Sequence, residues 1–481
     1  MRIKLIFILI NFISFGKFVL SEPDLSEYNL IFSEEFDSIE QLHKNWDYDI
    51  GNGINGWGDL ELEYYKSTPQ NIFLENNQLH IIARNTSFQN FKYTSARITT
   101  KNTFNFQYGY VKAEIKMPRG DGIWPAFWML GKNYDKVKWP ECGAINFVEA
   151  RDYNDMVGSN YYWLDEETED EARYGLFKDV SNREAFHVYE LMWDENYIQT
   201  LVDGKEIVKM DISKEKFYAF KQGFYFILNV AVGGKFPTKK VDEDHFPSEM
   251  IVKYIKVYQK KNPDKGQSYQ HTPKTLLYEI KKTSIRPNVE HYYLPCFKYG
   301  EIRLNVSFPL IKGMTSKIYL FSKAGSFTKN NILYRNSQTT TGQIALLTTY
   351  DDTNIIISGV EWKGEKDYTN KTEDFYELDI WKYNIYVVQW DESFINIFGN
   401  DVLIYSIDIR MLPEFQDYYY LSIYFDNHLH LATEQNLLKL GKSYIYQYKN
   451  NTQNLPNYNY GHTIQMNIWI IIITLFIILL E

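Results

Sequence analysis

Disulfides do not hold this chain together, because its 481 residues include only two cysteines, Cys142 and Cys296. Either they form one bridge between the halves, or both are buried free thiols. Basic charge is also short: 51 Lys and Arg against 61 Asp and Glu give a formal charge of −10. Without long basic runs, that balance argues against nucleic acid as the main partner. No His/Cys cluster has metal-ligand spacing, so neither a metal nor a cofactor is expected. Helical periodicity is scarce between the two ends. Aromatic residues are abundant: 40 Tyr, 31 Phe and 11 Trp make up 17% of the chain, and 44% of it is hydrophobic. Such a chain can bury a large core and is not disordered. Tyr and Phe favour strands and fill β cores. Flat rings also line sites for ligands with flat apolar faces, such as sugars. Composition leaves both readings open.

The ends read as addresses. Met1-Arg2-Ile3-Lys4 precedes an apolar run from Leu5 to Ile13, and Val19-Leu20-Ser21 supplies a cleavage site. This pattern predicts a secretory signal peptide over 1–21. At the other end a polar spacer, 450–467, leads into the hydrophobic tail 468–481. The apolar run is short for a spanning helix and lacks a basic flank. It reads as a GPI-anchor signal or a short tail anchor. Four sequons, at Asn85, Asn305, Asn370 and Asn450, fit export as a glycoprotein. The expected location is the extracellular face of the plasma membrane or the medium, and the sequence names no protein partner.

Between the ends, short alternating runs such as Tyr110-Val111-Lys112-Ala113-Glu114-Ile115-Lys116-Met117 are punctuated by turns such as Arg119-Gly120-Asp121-Gly122 and Asp203-Gly204. The pattern predicts an all-β sandwich or barrel. Three blocks recur in order. Thr94-Ser95-Ala96-Arg97 is echoed by Thr283-Ser284-Ile285-Arg286, and Tyr108-Gly109-Tyr110-Val111-Lys112 by Tyr299-Gly300-Glu301-Ile302-Arg303. Phe186 to Glu195 aligns with Tyr383 to Glu392. A duplicated domain follows: a first copy over 22–260, a polar linker over 261–272, and a degenerate second copy over 273–449. The second copy is read as truncated, lacking counterparts of Ile31 to Tyr65.

The first copy carries Phe32-Ser33-Glu34-Glu35-Phe36-Asp37, then Gly56-Trp57-Gly58-Asp59-Leu60-Glu61-Leu62-Glu63-Tyr64-Tyr65, then Ile123-Trp124-Pro125-Ala126-Phe127-Trp128-Met129. Trp139-Pro140-Glu141-Cys142-Gly143 and Leu228-Asn229-Val230-Ala231-Val232-Gly233-Gly234 follow. Together these blocks resemble glycoside hydrolase family 16, its β-1,3-glucanase and glucan-recognition branch. The resemblance implies a concanavalin-like jelly-roll β-sandwich with an open glucan cleft. The family's catalytic strand reads Gly-Glu-Ile-Asp-x-x-Glu, in which the first Glu is the nucleophile, the Asp its helper and the last Glu the acid/base. Residues i and i+2 share a strand face, and a bulge brings the third carboxylate onto it. A retaining glycosidase needs its two working carboxyls about 5–5.5 Å apart.

Here the strand reads Gly143-Ala144-Ile145-Asn146-Phe147-Val148-Glu149. Ala144 replaces the nucleophile and Asn146 the helper, so only Glu149 matches. No intact catalytic set is expected. Glu141, Asp152 and Asp155 lie nearby but off the i, i+2 face. By resemblance, Trp124 and Trp128 line the cleft and stack on glucose, with Trp57, Arg97, Trp163 and Glu149 as further sugar contacts. Lys253 stands where some members have an acid for calcium. The second copy reads Gly342-Gln343-Ile344-Ala345-Leu346-Leu347-Thr348, with no carboxylate at any of the three positions, and it keeps Trp362 and Trp390. The expected function is a pseudoenzyme that binds β-1,3-glucan. The alternatives are a weak endo-β-glucanase or transglycosylase using Glu149, and a surface structural or adhesion protein without a sugar ligand.

Overall fold

The computed structural model describes residues 23–262 and 265–285 and, beyond them, 291–297, 299–308, 314–322, 343–350, 355–363, 369–377, 382–391, 394–410, 412, 415, 419–427, 437–448 and 464–465. The signal peptide, the hydrophobic tail and Asn450 therefore lie outside the described residues.

Alternation builds the first copy. In the strand Gly109–Lys116, Val111, Ala113 and Ile115 are buried while Lys112, Glu114 and Lys116 are not, the two-residue period of a half-buried strand. Its sheet runs in the order Lys205–Asp211, Tyr197–Val202, Phe186–Trp193, Gly109–Lys116, Ser248–Lys260, Gln78–Ala83, Ile72–Glu75, and Tyr28–Glu34 also pairs with Ser248–Lys260. A second sheet runs Asp170–Asp179, Met156–Asp165, Ala144–Ala150, Ile123–Gly131, Phe224–Val232, Arg97–Thr99, Asp47–Tyr48. Val111, Ile115 and Leu79 from one sheet meet Phe127, Ile145, Phe147 and Leu228 from the other in one core. This is a sandwich of two sheets.

The second copy repeats that order strand for strand. Val402–Asp408, Phe394–Gly399, Asn384–Trp390, Gly300–Ser307, Ser443–Gln447 and Thr275–Ile280 form one sheet. Thr369–Glu377, Ile355–Lys363, Gln343–Tyr350, Met314–Ser322, Tyr419–Asn427 and His291–Phe297 form the other. Local geometry is repeated too. Tyr108 and Tyr299 have φ of 64° and 54°, and each sets its ring edge-on to a core tryptophan, Trp193 at 5.2 Å and Trp390 at 5.5 Å.

Three expectations need correction. The first echo is not a structural equivalence: Thr283–Ile285 pairs with Leu438–Leu440, in the place that Gln78–Ala83 holds in the first copy, whereas Arg97–Thr99 belongs to the other sheet. A four-residue likeness is too short to fix register. The truncation also begins later than read. Thr275–Ile280 pairs with Ser443–Gln447 as Tyr28–Glu34 pairs with Ser248–Lys260, so the missing counterpart is that of residues 35–77. Finally, the segment read as a linker is partly strand, because Ser268–His271 pairs with Phe104–Gln107 of the first copy.

The copies meet through buried charge. Lys274 Nζ lies 2.7 Å from Asp47 and 3.6 Å from Glu301, and it donates to Trp46 O at 3.0 Å. Glu301 also pairs with Arg303 at 2.5 Å. Two cations and two anions thus balance in a site from which water is largely excluded. Burial disfavours the charged form of Glu301, but Arg303 and Lys274 outweigh it and hold the carboxyl below its ordinary range. Removing one member strands a buried charge. Lys274→Met is expected to cost about 3–5 kcal/mol of unfolding free energy in denaturant titration of the full chain. A loss below about 1 kcal/mol would mean that this network does not hold the interface.

Candidate functional site

The strand Ala144–Ala150 lies between Ile123–Gly131 and Met156–Asp165, and its register shifts between Asn146 and Glu149. This is the bulge that brings position 149 onto the face of 144 and 146. A single rung crosses the sheet: Arg97 opposite Asn229, Asn229 opposite Ala126, Ala126 opposite Glu149, Glu149 opposite Gly158, Gly158 opposite Phe177. Glu149 is flanked by two small residues, Ala126 and Gly158, and larger rings lean into the space they leave. A Cβ on Gly158 would meet the Phe177 ring at 2.6 Å.

Glu149 is fully buried. Its carboxylate accepts hydrogen bonds from Asn160 Nδ2 at 2.6 Å, Trp124 Nε1 at 3.1 Å and Asn146 Nδ2 at 3.3 Å. Above it, Phe236 packs 4.8 Å from the Trp124 ring and 6.0 Å from Phe177. The Arg151 guanidinium lies over both phenylalanines at 4.8 and 5.1 Å and donates to Phe236 O at 2.8 Å. Burial pushes the Glu149 carboxyl up to about 7, and its three donors together with nearby Arg173 limit the rise.

Ala144 sits in different surroundings. It belongs to a small apolar cluster with Leu130, Cys142, Tyr225 and Ile227, against which Trp128, Tyr134, Val137 and Tyr162 pack. Cys142 is a buried free thiol, which excludes the bridge to Cys296, and burial pushes it up to about 12. The nearby acids serve loops. Asp152 accepts from Thr238 N, Thr238 Oγ1 and Gly122 N at 2.9, 2.6 and 3.1 Å. Asp155 accepts from Arg183 N at 3.0 Å and Arg119 at 3.4 Å.

A second group lies along the sheet. The Arg97 guanidinium is 4.2 Å from the Trp57 ring and 5.2 Å from that of Trp128, and Asp49 Oδ2 accepts from its Nε at 2.9 Å. Trp128 Nε1 donates to Asn229 Oδ1 at 2.9 Å, and Asn229 Nδ2 donates to Tyr65 OH at 3.0 Å. A cation held between two half-buried indoles presents flat, partly apolar surface beside hydrogen-bonding groups. Trp57 reaches it from a turn with left-handed backbone, its own φ being 53°. The Trp57 ring covers Gly53, where a Cβ would meet it at 2.7 Å.

The structure thus gathers Trp57, Arg97 and Trp128 into one group and Trp124, Asn146 and Glu149 into another. Trp163 joins neither. It is 8% exposed and packs on Phe217 and Phe220 in the core, because strand alternation turns Tyr162 to the site and its neighbour away. Asn160, Phe177, Phe236 and Arg151 were missed. Asn160 could have been found, since it shares the face of Tyr162 two residues on. The Phe177 and Phe236 lid could not, because nothing local pairs them. Lys253 forms an ion pair with Glu114. Of the sequons, Asn85 is exposed, Asn305 packs against Gly441, and the Asn370 side chain lies outside the described residues. In the second copy the strand Gln343–Tyr350 keeps the bulge, between Ala345 and Thr348, without the acids. The Trp362 and Cys296 side chains are outside the described residues.

The raised Glu149 has a measurable consequence. Between its ordinary 4.5 and about 7, the folded chain holds a proton that the unfolded chain releases. The contribution of Glu149 is therefore full below pH 4.5 and is lost as pH rises to about 7, a swing of about 3 kcal/mol. Unfolding of wild type and Glu149→Gln compared across that window should show the variant gaining steadily on wild type as pH rises. A pH-independent difference would contradict the burial argument.

Comparison with known proteins agrees with this layout. The family model for Glycosyl hydrolases family 16 matches residues 63–244. Beta-glucanase of Rhodothermus marinus is 32% identical over 245 residues, covering 48% of this chain and 85% of that protein. Clotting factor G alpha subunit of Tachypleus tridentatus is 33% identical over 237 residues, covering 48% of this chain and 34% of that protein. Beta-1,3-glucan-binding protein of Penaeus monodon is 34% identical over 176 residues, covering 29% and 47%. Against the clotting factor and a Glucan endo-1,3-beta-glucosidase A1 of Niallia circulans, the chain spans only 34% and 39% of the relative's length. With the jelly-roll order of its sheets and this match over most of a shorter relative, the chain belongs to glycosyl hydrolase family 16.

Proposed function

We propose that the first copy binds β-1,3-glucan without cleaving it. One observation carries this reading: a methyl group, Ala144, set in an apolar cluster, occupies the position that corresponds to the family's nucleophile, while the Trp57–Arg97–Trp128 group remains assembled on the same sheet. A methyl group forms no glycosyl-enzyme bond. Restoring a carboxyl there would place it against Leu130, Tyr225 and Tyr162, where burial resists ionisation. Either stereochemical route requires a second working carboxyl beside Glu149, and Asp152 and Asp155, the acids that follow it in sequence, are engaged by loop donors. The relatives named for β-1,3-glucan binding and β-glucan hydrolysis support the ligand class. The apolar run read as a signal peptide and the exposed sequon at Asn85 support presentation outside the cell.

A second reading, a surface protein without a sugar ligand, is favoured by the lid of Trp124, Phe236 and Phe177 over a fully buried Glu149. Laminarin separates the two. Residues 22–449, both copies together, should be retained by the polysaccharide and release no reducing ends from it. Trp128→Ala should weaken retention at least about tenfold, the loss of one stacking and cation–π partner. No retention by wild type would favour the second reading. Reducing ends that disappear in Glu149→Gln would establish hydrolysis instead.

A further inference from the structure

The second copy docks on a part of the first that it does not itself possess. Among the described residues, its contacts fall on residues 43–67, within the stretch that has no counterpart after Ile280. Gln389 Nε2 donates to Tyr48 O at 3.2 Å, and the Arg303 guanidinium lies 4.5 Å from the Tyr48 ring. Tyr448 OH reaches Asp47 Oδ1 at 3.4 Å, and His43 Nδ1 lies 3.3 Å from Tyr446 OH. The turn at Asn400-Asp401 carries the densest set. Tyr64 OH donates to Asp401 O at 2.8 Å, and Ser67 N and Oγ donate to its carboxylate at 3.1 and 2.6 Å.

The other side of the same segment holds the Trp57–Arg97–Trp128 group. Neighbouring residues divide between the two sides. Asp47 and Tyr48 meet the second copy, while Asp49 binds Arg97. Tyr64 meets Asp401, while Tyr65 accepts from Asn229, the acceptor for Trp128. Between these stems the turn is hydrogen-bonded within itself, Trp57 N to Asn52 O at 3.1 Å and Leu60 N to Asn55 O at 3.0 Å, but its backbone is strained. Asn55, Trp57 and Leu60 have φ of 51°, 53° and 59°, each a left-handed conformation that costs a side-chain-bearing residue about 1 kcal/mol or more. The stems are short edge strands, Asp47–Tyr48 on Arg97–Thr99 and Glu63–Tyr65 on Tyr93–Ser95.

We propose that the second copy is a brace: by clamping residues 47–67 from outside, it holds the Trp57 turn and Arg97 in the arrangement that receives glucan. This rests on the glucan reading for its ligand but not for the bracing itself. It gives the copy that lacks acids at the three catalytic positions a role that needs its sandwich and its surface, not a cleft. The residues that clamp are positioning residues, since none of them touches the sugar-binding group directly.

The test uses the full chain with Asp401→Gly and Gln389→Ala together. Glycine suits residue 401, whose φ is 68°. Tyr64→Phe, which removes one hydrogen bond, is the milder variant. Hydrogen exchange should accelerate at least about tenfold at the amides of residues 51–61, with the core strands of the first copy unchanged. Laminarin affinity should fall about fivefold or more, and in a Trp57→Ala background the same pair should cause little further loss. Tyr64→Phe should move both readouts the same way by less. Unchanged exchange overturns the brace. Faster exchange with undiminished affinity, or an equal loss in both backgrounds, overturns its control of the site. If wild type itself binds no laminarin, the glucan reading falls, and exchange alone decides the brace.

Discussion

The buried carboxylate of Glu149 and the three donors around it organise the centre of this molecule. Burying an ionisable group is costly unless every lone pair finds a partner. Asn160, Trp124 and Asn146 supply those partners. Asn146 fits this arrangement as an aspartate would not: an amide donates to Glu149, whereas a second carboxylate would repel it and raise its affinity for a proton further. The bond from Trp124 fixes that indole against Phe236, and Phe236 closes over Phe177. The amide at 146 and the rings around 149 thus belong to one physical arrangement, anchored on the Glu149 carboxyl. On the proposed reading, ligand contact falls along the sheet at Trp57, Arg97 and Trp128.

The duplication sets this centre in a wider frame. Both copies keep the same strand order, the same bulge and the same edge-on Tyr–Trp contact, so the fold persists without the acids. What differs is the outer surface. On the strand equivalent to Gly109–Lys116, Arg303 takes the place of Lys112, partly exposed in the first copy, and Glu301 that of Tyr110, buried there. In the second copy these positions are buried against Asp47, Tyr48 and Lys274. One position that meets water in the first copy and one that holds a buried tyrosine have become charged interface positions, and a balanced set of four charges makes that burial tolerable.

Much of this was legible in the residues. Alternation fixes strands and their inward faces, the family blocks fix the catalytic strand, and Ala144 and Asn146 announce the lost acids. Two of the three repeat blocks coincide with equivalent strands, Gly109–Lys116 with Gly300–Ser307 and Phe186–Trp193 with Asn384–Trp390. The failures share a cause. Trp163 was one residue out of phase with the face that matters, and Thr283 matched Thr94 in letters but not in pairing, because period and register are set by partners across the sheet. The lid joins residues 124, 177 and 236, and the clamp joins 47, 274 and 301. Contacts between positions so far apart leave no mark on local pattern. They arise from how the sheets pack.

The account stands or falls on where a glucan rests on the first copy. A crystal structure of residues 22–449 with a short β-1,3-gluco-oligosaccharide addresses it directly. The account predicts sugar rings against Trp57, Arg97 and Trp128, with Trp124 still bonded to a buried Glu149. A sugar ring lodged at Glu149, with Trp124 and Phe236 swung aside, would contradict it.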